Sequence, residues 1–147
     1  MKTHVLDSTI WLARPIDEVF SFFSDAMNLG TLTSPWVNFQ VLTPAPIKMA
    51  LGTRLRYRLA IHRIPVNWES EITTWDPPRR FVDEQIHGPY RRWHHEHYFS
   101  EREGGTDVVD HVKYSVPGGS LINRLFVARD LRAIFGYGRD KLTKLFP

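Results

Sequence analysis

Cysteine is absent from the 147-residue sequence, which removes disulfides, thiol nucleophiles and cysteine-ligated zinc together. No apolar run approaches the ~20 residues that a membrane-spanning helix needs. The short apolar stretch near the start is broken at Asp7, which argues against a secretory signal. No Gly-rich phosphate loop precedes Lys-Ser or Lys-Thr, because Lys141-Leu142-Thr143 falls inside a helical pattern. Gly136-x-Gly138 has no strand–helix unit behind it, so a dinucleotide site is not expected. Ser34, Ser115 and Ser120 lack a nucleophile-elbow context. Repeats, low-complexity tracts and Gly/Ser linkers are also missing. These absences leave a cytoplasmic protein with no cofactor and no resident metal as the expectation.

What is present is an ordered chain: 42% hydrophobic, 13% aromatic and 24% charged residues. One domain over residues 1–147 is the size at which a core forms without staples. The net charge of +3 is uneven. From Gly119 onward, Arg124, Arg129, Arg132, Arg139, Lys141 and Lys144 face only Asp130 and Asp140. An anionic partner would suit this face, but a solvated helix surface explains it equally well. Trp36, Trp68, Trp75 and Trp93 could form a stacking platform for nucleic acid. The strands around them carry no basic stripe, so no nucleic-acid partner is expected.

Residues 4–12 read as a strand. Pro15 opens a helix, with Asp17 and Glu18 in its first turn and Ile16, Val19, Phe20 and Phe23 on its core face. A short helix or turn follows over Asp25 to Leu32. The texture then changes to period two, with strands at about 36–43, 52–62, 66–75, 79–87, 91–101 and 106–116. Short Pro- and Gly-rich links between them imply an antiparallel meander. A long helix spans about Ser120 to Phe146, with Val127, Leu131, Ile134, Phe135, Leu142 and Leu145 on one stripe. Leu121, Ile122, Leu125 and Phe126 lie off that stripe, so the first turns must bury a second face or bend near Val127. A curved seven-stranded antiparallel sheet gripping this helix, an α+β architecture, follows because the helix is the one long amphipathic element available to cover the sheet.

A Gly104-Gly105 turn would set Glu103 against Thr106, placing Phe99 opposite Asp110, His97 opposite Val112 and His95 opposite Tyr114. Glu96 then pairs with Lys113. One face carries Trp93, His95, His97, Phe99, Asp110 and Tyr114; the other, with His94, Glu96 and Lys113, faces solvent. A loop at Gly88-Pro89-Tyr90 puts Phe81 near His97, Asp83 near His95 and Gln85 near Trp93. Leu55, Tyr57, Leu59, Ile61, Trp68, Ser70 and Ile72 complete the inward set. Burying an unpaired polar group costs roughly 1–3 kcal/mol. Two histidines and two aspartates on an apolar inner face therefore point to a concave pocket with converging polar groups.

With its helix opening at Pro15, its Asn28-Leu29 to Pro35 segment, and Gly52 ahead of Leu55 and Tyr57, the chain resembles the START-like, or SRPBCC, superfamily. Trp68, Ile72, Pro77, Pro78, Phe81 and Asp83 continue the pattern. Gly88-Pro89-Tyr90, Trp93, His95, His97, Phe99, Asp110, Tyr114 and the Ile134-Phe135 helix complete it. The similarity is to the polyketide cyclase/dehydrase and ubiquinone-binding branch. It implies a helix-grip fold around a deep hydrophobic cavity, and no catalytic set that could be transferred. Function has to come from the site.

The candidate ligand-binding set is Tyr57, Trp68, Phe81, Asp83, Gln85, Trp93, His95, His97, Phe99, Asp110, Tyr114 and Phe135. Its ligand is a small hydrophobic molecule, aromatic, lipid or polyisoprenoid-like. His95 and His97 could ligate a metal with Asp83 or Asp110. They could instead move protons, with Asp83 orienting His95 and His97 or Tyr114 as the transfer group. The simplest alternative is two satisfied polar pairs, His95–Asp83 and His97–Asp110, specifying register or orienting a bound ligand. A membrane-facing role for the basic helix surface is the remaining rival.

Overall fold

The computed structural model describes residues 2–147. Strands β1 (His4–Leu12), β2 (Gln40–Val41), β3 (Arg54–Ile61), β4 (Ile64–Asp76), β5 (Arg80–His87), β6 (Arg92–Arg102) and β7 (Gly105–Ser115) form one antiparallel sheet in the order β1-β7-β6-β5-β4-β3-β2. Helices α1 (Ile16–Phe23) and α2 (Leu29–Leu32) lie between β1 and β2. The chain ends in a 27-residue helical stretch made of α3 (Gly119–Ile122), a π-helical segment (Asn123–Val127) and α4 (Ala128–Leu145).

Period-two alternation produces the curved sheet. Along β3 and β4, Leu55, Tyr57, Ser70 and Ile72 are buried while their neighbours point outward. Two irregularities in β4, between Glu69 and Ser70 and between Ile72 and Thr74, bend the strand as bulges do. The 36–43 segment differs from expectation. Pro35–Val37 is a 3-10 turn ending at a left-handed Asn38, so only Gln40 and Val41 pair.

The β6–β7 hairpin turns at Glu103-Gly104, both at positive φ (52° and 76°), rather than at Gly104-Gly105. Positive φ at both central positions is what a two-residue hairpin requires to match strand twist. His97 is therefore opposite Asp110, His95 opposite Val112, Phe99 opposite Val108 and Trp93 opposite Tyr114. Glu96 faces His111, and Lys113 reaches it only diagonally, at 3.9 Å. The slip from the expected register is two residues, so each side chain keeps its face.

Helix α1 starts after an extended Pro15 and buries Val19 and Phe20. Phe20 wedges among Trp75, Phe81 and Phe99, with ring centroids 5.2–5.8 Å apart. This cluster, with Leu12, Ile72, Val108 and Leu142, makes a solid core at one end of the grip. At the other end Trp93, Val112, Tyr114, Val116 and Leu131 form a second cluster. Between them the sheet and α4 stand apart.

The first turns of the terminal helix bury no second face. Leu121, Leu125 and Phe126 remain at least half exposed and Ile122 is 36% exposed. Where the sequence suggests a bend near Val127, the helix carries a π-helical segment, a wider turn between two α-helical stretches.

Candidate ligand-binding cavity

The space between sheet and helix is a cavity of about 670 Å3. Its walls are mostly apolar: Leu55, Tyr57, Leu59, Trp68 and Ile72 from β3 and β4, Phe81 from β5, Trp93 from β6, and Leu131, Ile134 and Phe135 from α4. Phe39, Met49 and Leu29 from the α1–β3 connection extend the wall beside Leu55 and Tyr57 of β3. Those connection residues escaped the sequence pattern because they lie in irregular segments where no periodicity assigns a face.

At about 24 cal/mol per Å3, the penalty seen for engineered core cavities, an empty void of this size would cost about 16 kcal/mol. That exceeds the net stability of an ordinary domain, ~5–15 kcal/mol. The space is therefore one that water or a ligand fills.

Of the sequence candidates, Tyr57, Trp68, Phe81, Asp83, Trp93, His95, His97 and Phe135 line the cavity. Four others do not. Gln85 turns away to brace the β5–β6 loop, donating from Nε2 to the Tyr90 carbonyl at 2.7 Å and accepting from the Tyr90 N–H at 3.1 Å. Phe99 is buried in the solid core against Phe20 and Phe23. Tyr114 donates its hydroxyl to Asn123 Oδ1 at 2.8 Å, tying β7 to the π-helical segment. Asp110 stands behind the two histidines rather than in the wall.

The polar part of the site is a four-residue cluster. The His95 and His97 rings stack at 3.7 Å, and Phe81 stacks on His97 at 4.1 Å. Strand pairing sets Asp83 opposite His95 and Asp110 opposite His97, yet the short contacts cross. His97 Nε2 meets Asp83 Oδ2 at 2.7 Å and His95 Nε2 meets Asp110 Oδ1 at 2.9 Å. The directly opposed pairs are longer, 4.0 Å for His95–Asp83 and 3.4 Å for His97–Asp110. His97 Nδ1 has no aligned hydrogen bond of its own. The expected pairing of His95 with Asp83 is thus replaced by an alternating ring.

Burial alone would lower the pKa of His97, but the close contacts and charges of Asp110 and Asp83 overcome it and raise it to about 9. Burial works against both carboxylates, and the histidines hold them below the usual range all the same. At neutral pH the site therefore holds two ionised carboxylates beside an imidazolium at His97. Tyr57, which shares the cavity, has its hydroxyl pKa pushed up by burial and by the Asp83 charge. It stays neutral and able to donate.

Asp83, His95 and His97 present donor atoms all within 4.8 Å of one another, the ligand types of a divalent-cation site. Both imidazole Nε2 atoms are engaged by carboxylates, so an ion would have to displace two charge-assisted hydrogen bonds. The mouth lies where cavity-lining residues reach solvent, at Trp36, His62 and Arg63, and at the start of the terminal helix. His62 Nε2 contacts Asp130 Oδ2 at 2.7 Å, joining the β3–β4 turn to α4 across this opening.

A curved antiparallel sheet closed over a long helix, with a large apolar cavity between them, defines a helix-grip protein. Residues 12–135 match the family described as "Polyketide cyclase / dehydrase and lipid transport", and the chain belongs to that family. No curated protein sequence gives a significant match. Among solved structures, protein CV1439 from Chromobacterium violaceum aligns with a TM-score of 0.75 at 12% identity, over 97% of each chain. The Zhui aromatase/cyclase from Streptomyces sp. R1128 aligns at 0.69 and 13% identity, over 97% of this chain and 95% of its own. Major latex-like protein 151 from Panax ginseng aligns at 0.58 and 14% identity, over 89% and 96%. At such identities the likeness is one of fold.

Proposed function

We propose that the protein binds a small, largely apolar ligand bearing one hydrogen-bonding head, held between the sheet and α4. The observation that carries this is the 670 Å3 cavity with aromatic walls and a single charged cluster set into one side. Its volume falls within the ~300–1,000 Å3 usual for ligand sites. The Asp83 carboxylate and neutral Tyr57 hydroxyl offer an acceptor and a donor to the head, while Trp68, Trp93 and Phe135 enclose the body. A ligand hydroxyl could donate to the ionised Asp83 carboxylate in the cavity wall. The lipid-transport part of the family description supports this reading.

The test is a fluorescence titration with the neutral probe N-phenylnaphthylamine. Wild type should bind it saturably, and Leu59→Trp, which pushes an indole into the cavity from β3, should weaken binding without lowering the melting temperature. Equal binding by both proteins contradicts a site in the cavity.

A second reading is proton-transfer catalysis, favoured by the charged His97 and the ionised Asp83 exposed to the same cavity. The cyclase/dehydrase part of the family description, and the aromatase/cyclase among the structural relatives, support it. It predicts that His95→Asn abolishes turnover of a hydroxylated aromatic substrate while leaving probe binding intact. Turnover that survives the substitution removes this reading.

A further inference from the structure

We infer that the start of the terminal helix is a docking surface for an anionic lipid bilayer, which would set the cavity mouth against the membrane. Leu121 (56%), Leu125 (50%), Phe126 (53%) and Ile122 (36%) are exposed within six consecutive residues. Elsewhere among the described residues, exposed large apolar side chains are scattered along the sequence. Leu121 and Leu125, and Ile122 and Phe126, are each four residues apart, so they share one side of the helix. A contiguous apolar patch on an otherwise solvated helix marks an interaction site.

Charge selects the occupant. Arg124 and Arg129 are exposed within and just beyond the patch, and exposed Arg132 follows one turn later. Asp130, the acid in this stretch, is already engaged by His62. Apolar side chains interleaved with arginines are the composition of helices that lie in the interface of an anionic membrane. A second copy of the chain is the poorer fit. A two-fold contact through the same face would gather the arginines of both copies in one interface, with Asp130 already taken by His62.

The location agrees with the charge. Ile122 and Val127 line the cavity from this segment, and the 60% exposed Trp36 stands at the mouth, edge-on to Tyr137 of α4. With the patch in the interface, an apolar molecule could pass from bilayer to cavity with little exposure to water. The docking surface itself stands whether or not the cavity reading holds.

The experiment is flotation of the full chain with vesicles of phosphatidylcholine alone and of phosphatidylcholine mixed with phosphatidylserine, at low and high salt. Wild type should float with the phosphatidylserine vesicles at low salt and be released by high salt. Arg124→Gln and Arg129→Gln should each weaken partitioning about fivefold. Leu125→Ser combined with Phe126→Ser should weaken it at least tenfold while the melting temperature and the N-phenylnaphthylamine titration stay at wild-type values. No flotation with either vesicle overturns the proposal, as does flotation unchanged in the variants. A concentration-dependent dimer that Phe126→Ser dissolves would assign the face to a second copy instead and overturn it equally. Flotation without probe binding would retain the docking surface and remove the ligand-binding reading.

Discussion

His97 is 7% exposed and nevertheless positively charged, because Asp83 and Asp110 flank it. The sign of its contribution follows from its pKa, which folding raises from 6.5 to about 9. Stabilisation is fully present below pH 6.5 and is lost as pH rises through 9. Asp83 and Asp110, lowered from 3.8, contribute above that value and cease to do so on acidification. The cluster is therefore most stabilising between about pH 4 and 6.5. A shift of this size corresponds to roughly 3 kcal/mol. Urea unfolding of wild type should show stability falling by that order from about pH 6 to 9. His97→Gln should be less stable at pH 6, because it strands two buried carboxylates, and should show little slope over the same interval. Parallel pH curves for the two proteins would mean His97 is not the titrating group.

At the scale of elements, the terminal helix is anchored where it is least regular. Asn123, in the π-helical segment, is 8% exposed and accepts the Tyr114 hydroxyl from β7. Asn123→Ala leaves that hydroxyl buried without a partner and should cost about 1–3 kcal/mol. Tyr114→Phe in the same background should recover part of the loss, which a double-mutant cycle in urea measures. Additive effects would show that the bond couples nothing.

The same elements show what the sequence could reveal. Inward and outward faces are legible because side chains alternate strictly along a strand, so the sequence alone sets Tyr57, Trp68, Asp83, His95 and His97 on one surface. The turn was not readable, since a Gly-Gly dipeptide competes with Glu103-Gly104 for the left-handed positions. A slip of two preserved the faces and exchanged the partners, which is why Tyr114 and Phe99 were expected at the ligand and sit in packed clusters instead. Diagonal contacts between His97 and Asp83 depend on side-chain rotation, which spacing does not encode. The exposure of the Leu121–Phe126 stretch, for which the spacing leaves a second buried face or a bend open, is not legible for another reason. Apolar residues at helical spacing signal burial in a chain by itself, and the signal is the same when the covering surface is another body.

Across the whole molecule, two packed clusters brace the ends of the grip and leave the middle open, so rigidity and hollowness coexist in one fold. Among the described residues no helix is long and apolar enough to cross a membrane. A ligand that fills the hollow binds the folded state alone and must stabilise it, by about 2.7 kcal/mol at a hundredfold excess over Kd. For a chain of this length that is a rise of roughly 6–10 °C in melting temperature. The most direct measurement is the melting temperature of wild type against increasing N-phenylnaphthylamine, with Leu59→Trp alongside. The account predicts a rise of that size which grows logarithmically with concentration and is smaller in Leu59→Trp. A wild-type melting temperature that stays flat up to the solubility limit of the probe would contradict it.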